Sequence, residues 1–407
     1  MTRIFLIDKD CAYAYGDLLA SINADDHYYP YYQTHNLFHY FVNLVKALSS
    51  GKDIVLLDAD MNPSELRSLD GNIDLTKKVQ AYTTPFSSLS DLMEKLRSSS
   101  SHLTIFTSGT TGQPKKVVHN LETLTRSVRV GDKYADNIWA YAYNPTHMAG
   151  LQVFFQAFEN VNILVNVFNQ SRNAVYSQIE KYGITHISAT PTFYRLLLPF
   201  EKAFLSVQRI TLGGEKSDCH LCEMLHQIFP KAKINNVYAS TEAGSLFAAK
   251  GDCFQFPENM QGMFKVVDDE LLIHRSLLGE SANFQFDGDY YHSGDLIDWV
   301  DKGKGLFRFR SRKNELINVG GYKVNPGEVE DAILKIEGVQ QVLVYGKSNS
   351  VLGNILCADV QLEQGSCLSE LDIRKSLLGQ LQDFKIPRRI KFVETLSLTR
   401  TGKLKRI

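Results

Sequence analysis

The stretch TIFTSGTTGQPKKV, residues 104–117, decides what fold to expect of this 407-residue chain. Apolar and β-branched residues lead into six consecutive glycines or hydroxyl-bearing residues, 107–112, and a lysine pair closes the stretch. The pattern predicts a strand followed by a loop whose backbone N–H groups and hydroxyls surround phosphate oxygens, with Lys115 supplying positive charge. It differs from the GxxxxGK[ST] pattern of a Walker loop. The alternative is a surface linker, but linkers rarely follow an apolar strand and end before a helix.

The organisation around this stretch alternates short apolar runs with longer helical patterns. Predicted strands cover residues 54–58, 103–107, 139–143, 161–167, 185–189 and 208–212, and predicted helices cover 120–130, 150–159, 172–182 and 218–229. Such alternation predicts an α/β fold with largely parallel sheets. Shorter strands with Gly and Asp turns begin near residue 271. After residue 313 a helix at 326–336, strands at 342–345 and 355–362 and a helix at 369–382 predict a second domain, so the expected domains are 1–312 and 313–407.

The composition is that of an ordinary globular protein, with 44% hydrophobic and 22% charged residues. The formal net charge of −1 gives no overall bias toward nucleic acid or an anionic membrane. Residues 384–407, however, hold eight Lys or Arg against one Glu, which predicts a solvated face, an RNA-binding tail or a contact for an anionic small molecule. No run approaches 18 apolar residues, and the N-terminus lacks a signal-peptide core. We therefore expect a cytoplasmic protein without a membrane span.

The six cysteines are expected to remain thiols in a chain without a secretion signal. Residues 219–222, CHLC, look like half of a zinc site. No second CxxC or HxxxH pair follows, and the segment has a helical pattern, so a structural helix is the preferred interpretation.

Further motifs follow the opening stretch in a fixed order. They are NPTHMAG at 144–150, LGGEK at 212–216, NVYASTE at 236–242, SGD at 293–295, RKNE at 312–315, VGGYK at 319–323 and TRTGK at 399–403. Together with TSGTTGQPKKV, they resemble the motifs of the adenylate-forming superfamily, which contains acyl- and aryl-CoA synthetases, luciferases and peptide-synthetase adenylation domains. The resemblance implies a large N-terminal domain of parallel-rich sheets with helices and a small distorted barrel, followed by a small mobile α+β lid.

The resemblance also assigns roles to residues. Catalytic roles fall on Lys403, Glu242, Arg312 and His147, and Mg²⁺ is expected on Glu242 and Thr107. ATP-binding roles fall on Thr107, Ser108, Gly109, Thr110, Thr111, Gly112, Lys115, Gly214, Glu215, Tyr238, Ala239, Ser240, Thr241, Asp295 and Arg312. Asn314 is expected to act as a hinge, and Gly320, Gly321 and Tyr322 are expected to line the tunnel of the thiol acceptor.

These roles suit the residue types, because an attack on a crowded phosphate needs charge neutralisation by a cation and a metal. A carboxylate such as Glu242 is a hard ligand for Mg²⁺. Asp295 can accept hydrogen bonds from two ribose hydroxyls, and Lys403 lies on a glycine-flanked loop that can move.

The implied function is ATP-dependent activation of an aryl or short- to medium-chain carboxylic acid to acyl-AMP, with transfer to the phosphopantetheine thiol of coenzyme A. An amino-acid substrate is disfavoured because residues 144–150 contain no acid, and the segment is more similar to that of O-succinylbenzoate and other acyl-CoA ligases. His147 either contacts the substrate carboxylate or packs in the core. One alternative is loading of an acyl carrier protein. Another is a non-catalytic nucleotide-binding regulatory module, against which the retained charged motif residues argue.

The chain also departs from the family pattern. The phosphate loop begins near Thr107, whereas family members usually have well over a hundred preceding residues; residues 46–58, KALSSGKDIVLLD, still resemble an early family stretch. We therefore expect a trimmed N-terminal subdomain with a smaller or more open wall of the acyl pocket. Ala239, Ser311, Asn314 and Ser397 replace residues that the family commonly has, but none of these changes removes a charged catalytic group.

Overall fold

The computed structural model describes residues 2–69, 73–107, 115–217, 219–250, 253–319, 322–349, 353–400 and 403–405. The chain forms two compact units. The first unit is Met1–Lys250 with His274–Tyr291, and the second unit is Gly251–Ile273 with His292–Ile407. No helix in these described ranges is both long and apolar enough to cross a membrane.

The helices of the first unit are α1 Tyr15–Asn23, α2 Leu37–Ser49, α3 Pro63–Ser68, α4 Leu89–Arg97, α5 Leu121–Thr125, α6 Met148–Phe158, α7 Arg172–Tyr182, α8 Pro191–Arg195 and α9 Cys219–Ile228. Its strands before residue 250 are β1 Ile4–Asp8, β2 Cys11–Ala14, β3 His27–Tyr28, β4 Tyr31–Tyr32, β5 Ile54–Leu56, β6 Val79–Gln80, β7 His102–Thr107, β8 Lys115–Asn120, β9 Ile138–Tyr141, β10 Ile163–Asn166, β11 His186–Ala189, β12 Arg209–Gly213, β13 Lys233–Ser240 and β14 Gly244–Lys250.

The main sheet of the first unit has the order β13-β12-β11-β9-β10-β1-β2. Its neighbours from β13 to β1 are all parallel, whereas β2 is antiparallel to β1 and β14 is antiparallel to β13. Helices join the parallel strands, as crossover connections require. The carboxyl ends of these strands therefore lie along one edge, where α/β sheets usually place their ligands.

Two apolar clusters hold this sheet. One contains α2 and α6 and is rich in aromatic side chains; Phe41 and Phe154 stack in it with ring centroids 4.6 Å apart. The other contains α7 and α9 and is mostly aliphatic. Helix α7 shows how local sequence sets the element bounds: the Ser171 side chain accepts a hydrogen bond from the Ala174 N–H at the start, and Gly183 ends the helix at φ +61°.

A second sheet in the first unit has the order β4-β5-β7-β8. Strands β7 and β8 pair antiparallel, with Thr107 opposite Lys115. The ends of the opening stretch are therefore brought together as a hairpin, and residues 108–114 between them lie outside the described residues.

The strands of the second unit are β15 Cys253–Gln255, β16 Phe264–Val267, β17 Glu270–His274, β19 Tyr290–Asp301, β20 Leu306–Arg312, β21 Ile317–Val319, β22 Tyr322–Val324, β23 Val339–Asn349, β24 Gly353–Leu362 and β25 Arg389–Phe392; β18 Phe286–Asp287 precedes β19 within the first unit. Its helices are α10 Pro326–Leu334 and α11 Glu370–Leu377. Strands β16, β17, β19, β20 and β15 follow one another in a sheet, and β23-β24-β25 form another over an apolar core with α10 and α11.

The predicted mixed α/β fold with a small C-terminal domain is confirmed. Every strand and helix predicted in the first unit is present, with ends shifted by a few residues or, for α5, with a shorter helix. Strand β8 was not predicted: residues 115–120 form a strand because their backbone pairs with β7. The predicted division into residues 1–312 and 313–407 stays a prediction.

Candidate active site

Motif segments of the first unit meet at the carboxyl edge of its parallel sheet. Strand β12 ends at Gly213, which pairs with Val237 of β13. Gly214 and Glu215 therefore follow β12 alongside Tyr238, and the structure brings these two predicted ATP-binding segments together. Gly214 has φ +79°, a conformation that glycine adopts at little cost.

The NVYASTE motif folds as the end of β13 and the turn into β14. Tyr238 stacks on Phe247 across the hairpin, with ring centroids 5.1 Å apart. The Ser240 hydroxyl accepts a hydrogen bond from the Ala243 N–H at 3.2 Å, so the turn is closed at Thr241 and Glu242. Ala239 lies at a register shift but has no positive φ, so the methyl group that replaces the family's glycine is tolerated.

Glu242 is half-buried on this turn. It forms no ion pair with any Lys, Arg or His side chain of the described residues. Among the described residues, three side chains that could together ligate a metal lie close to one another elsewhere in the first unit, at Asp25, Asp26 and His27. A single carboxylate of this kind suits Mg²⁺, which is usually held by one or two carboxylates together with substrate phosphates.

The predicted phosphate loop is anchored at both ends but lies outside the described residues at Ser108, Gly109, Thr110, Thr111 and Gly112. Lys115 is half-buried at the start of β8. Thr107 is described as part of β7, opposite Lys115, and its expected role as a metal ligand stays a prediction.

The segment around His147 connects β9 to α6, and His147 is the residue that precedes the first turn of α6. A buried hydrogen bond of 2.6 Å joins the Asn144 Nδ2 donor to Asp58 Oδ2, and the Tyr40 hydroxyl donates to the Pro145 carbonyl at 2.9 Å. A Cβ at Gly150 would overlap the Asn144 carbonyl oxygen, so only glycine fits there. The structure thus fixes the backbone that carries His147.

Glu215 follows Gly214 and faces α8. Its Oε2 accepts a hydrogen bond from the backbone N–H of Thr192 at 3.0 Å, in the first turn of that helix. The carboxylate therefore ties the ends of β11 and β12 together at the same edge of the sheet.

In the second unit, Asp295 and Arg312 are opposite each other on the paired strands β19 and β20. The Arg312 Nε donates to Asp295 Oδ1 at 2.7 Å. The Asp295 side chain is 8% exposed, whereas the arginine is half exposed. A hydrogen bond between a guanidinium and a carboxylate is of the strong, charge-assisted kind, and this one fixes the orientation of the Asp295 side chain.

A second carboxylate, Glu270 of β17, holds the loop that leads to Asp295. It is buried and accepts hydrogen bonds from the Gly294 N–H at 2.9 Å and from the His292 ring at 3.1 Å. Lys313 lies 3.4 Å away on the solvent side. Burial raises the pKa of the Glu270 carboxyl, but His292, the Gly294 amide and Lys313 outweigh it, so the pKa lies below its ordinary value.

The other predicted residues of the second unit are described in part. The Thr399 N–H donates to the Lys403 carbonyl oxygen at 2.7 Å, and the Lys405 N–H donates to the Ser397 carbonyl oxygen. Asn314 lies in a short 3₁₀ turn, and its side chain is outside the described residues. Tyr322 is exposed and stacks on Phe384 with ring centroids 4.4 Å apart. Gly320 and Gly321 lie outside the described residues.

Sequence reasoning assigned no role to Asp58, His119 or Glu270. Asp58 and Glu270 are buried carboxylates, and His119 is a buried histidine whose Nε2 lies 2.8 Å from the Thr241 carbonyl oxygen. Burial lowers the pKa of His119 to about 4, with Arg126 acting in the same direction. The sequence offers one signal for these three residues, which is an ionisable side chain within an otherwise apolar run.

Comparisons with known proteins agree with this architecture. The o-succinylbenzoate CoA synthetase of Bacillus subtilis in complex with ATP and magnesium ion superposes with a TM-score of 0.71 at 18% identity, over 99% of this chain and 95% of that chain. In sequence, the chain is 27% identical to the 2-succinylbenzoate–CoA ligase of Staphylococcus aureus over 401 residues, 88% of this chain and 77% of the ligase. It is 23% identical to bacitracin synthase 3 of Bacillus licheniformis over 348 residues, 74% of this chain and 5% of the synthase.

The parallel sheet, with its hairpins at the carboxyl edge, and the small C-terminal domain have the fold of adenylate-forming enzymes. Residues 34–269, more than half of the chain, match the family described as AMP-binding enzyme, and residues 328–403 match the AMP-binding enzyme C-terminal domain. The chain therefore belongs to the AMP-binding enzyme family. It spans less than two thirds of several relatives, including 64% of an uncharacterized acyl–CoA ligase and 59% of the acetyl-coenzyme A synthetase of Bacillus subtilis.

Proposed function

We propose that the protein joins a carboxylic acid to ATP to form an acyl-adenylate and pyrophosphate, and then transfers the acyl group to the phosphopantetheine thiol of coenzyme A, releasing AMP. The observation that carries this proposal is the turn at Thr241 and Glu242. It presents a half-buried carboxylate at the carboxyl edge of the sheet, without a cation partner among the described side chains. Membership of the AMP-binding enzyme family supports the same conclusion.

The residues of the first unit suit a magnesium-bound nucleotide. Glu242 would hold Mg²⁺, which when bound neutralises phosphate charge. Lys115, at the end of the phosphate-loop hairpin, adds a cation near the same phosphates. Tyr238, kept in place by Phe247, offers a flat face to the adenine. Gly214 lets the backbone approach the base closely.

In the second unit, Asp295 would accept hydrogen bonds from the two ribose hydroxyls. Arg312 donates a hydrogen bond to this carboxylate, and Glu270 fixes the backbone beside it through the Gly294 N–H. We assign Lys403 to the first half-reaction, where its ammonium stabilises negative charge shared by the attacking carboxylate and the α-phosphate. Asn314 would serve as the hinge at which the C-terminal domain turns between acyl-adenylate formation and thioester formation.

The acid is proposed to be an aryl or a short- to medium-chain acyl acid. His147 would contact its carboxylate, from a backbone fixed by the Asn144–Asp58 hydrogen bond. Asp58 is already engaged by Asn144 and by the Asp60 N–H, so it is a poor partner for a substrate ammonium group. This argues against amino acids as substrates.

The thiol acceptor is proposed to approach Tyr322, whose exposed ring is held by Phe384. Coenzyme A is preferred because CoA ligases recur among the relatives. Transfer to an acyl carrier protein is the close alternative, because the basic residues after 384 suit either the phosphates of coenzyme A or an acidic protein face.

The test is acid-dependent exchange of labelled pyrophosphate into ATP, with a panel of aryl acids, short- and medium-chain fatty acids, and amino acids. The wild type should exchange with members of the first two groups. Glu242→Gln should lower exchange by about 10²-fold or more. Glu223→Gln, which changes an exposed carboxylate on α9, is the matched control and should exchange normally.

Binding of ATP with magnesium but no exchange with any acid would instead favour the regulatory module. If exchange occurs, mass spectrometry of the thioester formed with coenzyme A or with phosphopantetheinylated carrier protein decides the acceptor. Equal activity of the Glu242→Gln and Glu223→Gln variants would contradict the role of Glu242.

A further inference from the structure

His119 is a fully buried histidine that the reaction proposed above does not use. It lies on β8, four residues after Lys115, and its side chain points into the first unit. The Nε2 atom is 2.8 Å from the carbonyl oxygen of Thr241, in the turn that carries Glu242. A carbonyl can only accept a hydrogen bond, so Nε2 carries the proton and donates.

The other ring nitrogen fixes the orientation of the imidazole. Nδ1 lies 3.0 Å from the hydroxyl of Thr123, which is in the first turn of α5. Because burial lowers the pKa of His119 to about 4, the ring is neutral near pH 7. The unprotonated Nδ1 then lies within hydrogen-bond distance of that hydroxyl, whose single proton is shared between Nδ1 and the Asn120 carbonyl oxygen at 3.0 Å. The tautomer that points a donor at Thr241 is therefore the stable one.

A second segment holds the next carbonyl of the same turn. The Gly279 N–H donates to the Glu242 carbonyl oxygen at 2.8 Å. A Cβ at Gly279 would lie 2.6 Å from His119 Cε1 and 2.6 Å from the Val118 carbonyl oxygen, so the imidazole packs directly against this glycine. Reciprocal backbone hydrogen bonds between Val118 and Glu280, of 2.8 and 2.7 Å, keep that segment on β8.

Two successive carbonyls of the turn are thus held by donors that are themselves attached to β8. This strand begins at Lys115, where the predicted phosphate loop ends. We propose that His119 is a positioning residue: through its hydrogen bond to Thr241 and its contact with Gly279, it holds the Glu242 carboxylate in the orientation that binds magnesium with ATP. The inference rests on the proposed function for the role of Glu242, and it makes the β8 histidine a determinant of metal affinity.

The test compares His119→Leu and His119→Gln, because Leu removes both ring nitrogens whereas Gln can direct an amide N–H to the Thr241 carbonyl. His186→Leu is the matched control. His186 is also buried, also has a pKa lowered to about 4 by burial, and also bonds a threonine hydroxyl, at 2.9 Å, but it begins β11 at the opposite edge of the sheet.

The readout is calorimetric affinity for ATP in the presence and in the absence of Mg²⁺, together with the melting temperature. In His119→Leu, the gain in ATP affinity on adding magnesium should be about 10- to 100-fold smaller than in the wild type, the range typical when a residue that orients a metal ligand is removed. Its affinity without metal should stay within about twofold of the wild type. His119→Gln should recover most of the loss, and His186→Leu should show none of it even if its melting temperature falls.

Gly279→Ala provides a second route, because its methyl group must displace the imidazole; it should reproduce the magnesium-specific loss if His119→Leu does not fold. Unchanged magnesium dependence in His119→Leu, or an equal loss in His186→Leu, would overturn the proposal. If the wild type binds ATP with magnesium yet exchanges pyrophosphate with no acid, the proposed reaction fails while this positioning role remains measurable.

Discussion

Glu270 offers a quantitative test of how the second unit holds the proposed ribose-binding aspartate. Its carboxylate is 6% exposed and accepts from the Gly294 N–H and from His292, whereas Lys313 is 61% exposed and adds little. Glu270→Gln keeps one oxygen for Gly294 but turns an amide N–H₂ toward His292. It should therefore lose the equivalent of one charge-assisted hydrogen bond, roughly 1.5–3 kcal/mol of the free energy of unfolding.

Glu270→Ala should cost more than Glu270→Gln, because it leaves both the Gly294 N–H and the partly exposed His292 ring without their carboxylate acceptor. The assay is guanidinium unfolding of the second unit, followed through Trp299 in a Trp139→Phe background that removes the chain's other tryptophan. Glu258→Gln, an exposed carboxylate of the same unit, should stay within about 0.5 kcal/mol of the wild type.

The stability of the second unit should depend on pH through Glu270. A carboxyl whose folded-state pKa lies below its unfolded value stabilises the fold above the unfolded pKa, and this contribution is lost as the pH falls through the folded pKa. The curves for wild type and Glu270→Gln should therefore converge in acid and separate near neutrality. Equal unfolding midpoints at pH 7 for wild type, Gln and Ala variants would refute the view that Glu270 holds this loop.

Three further predictions use other parts of the chain. Asp295→Ala should weaken ATP binding by about 10- to 100-fold, since charge-assisted hydrogen bonds are lost. Asp298→Ala should not weaken it, because Asp298 is an exposed residue of β19 whose partner is Arg310. Unchanged ATP affinity of both variants in calorimetry would contradict the ribose assignment. Lys403→Ala should lower acyl-adenylate formation by roughly 10²–10³ but spare thioester formation from supplied acyl-adenylate, and Lys405→Ala should affect neither half-reaction; equal loss in both halves would sink the catalytic assignment. Because His119 is buried with a pKa of about 4 instead of 6.5, it contributes about 3 kcal/mol to the free energy of unfolding above pH 6.5, and this contribution is lost as the pH falls toward 4. His119→Gln should flatten that part of the curve of unfolding free energy against pH. An unchanged slope would contradict the buried neutral ring.

Much of the fold could be predicted from the sequence because its strands and helices carry strong local patterns. Helix α7 has a serine cap and a terminal glycine, and its predicted bounds match those observed. Strand β8 could not be predicted in this way, since KKVVHN alternates weakly and becomes a strand only by pairing with β7. Its location matters, because it carries both Lys115 and His119.

The candidate site could be predicted where motifs have a characteristic spacing and not where a lone residue acts over a long sequence distance. Asp295 and Arg312 were assigned from their motifs, and the structure pairs them at 2.7 Å. Glu270 bonds a backbone N–H 24 residues later, and His119 bonds a carbonyl 122 residues later. No local pattern records such contacts, so they became visible only when the strands were placed together.

We propose that the chain couples a carboxylic acid to cleavage of ATP between its α- and β-phosphates. The most direct measurement is chromatographic identification of the products formed from ATP, magnesium, coenzyme A and each acid of the panel. We predict stoichiometric AMP, pyrophosphate and acyl thioester that depend on one class of acid and vanish in Lys403→Ala. Formation of ADP and phosphate, or no acid-dependent cleavage of ATP with any member of the panel, would contradict this reaction.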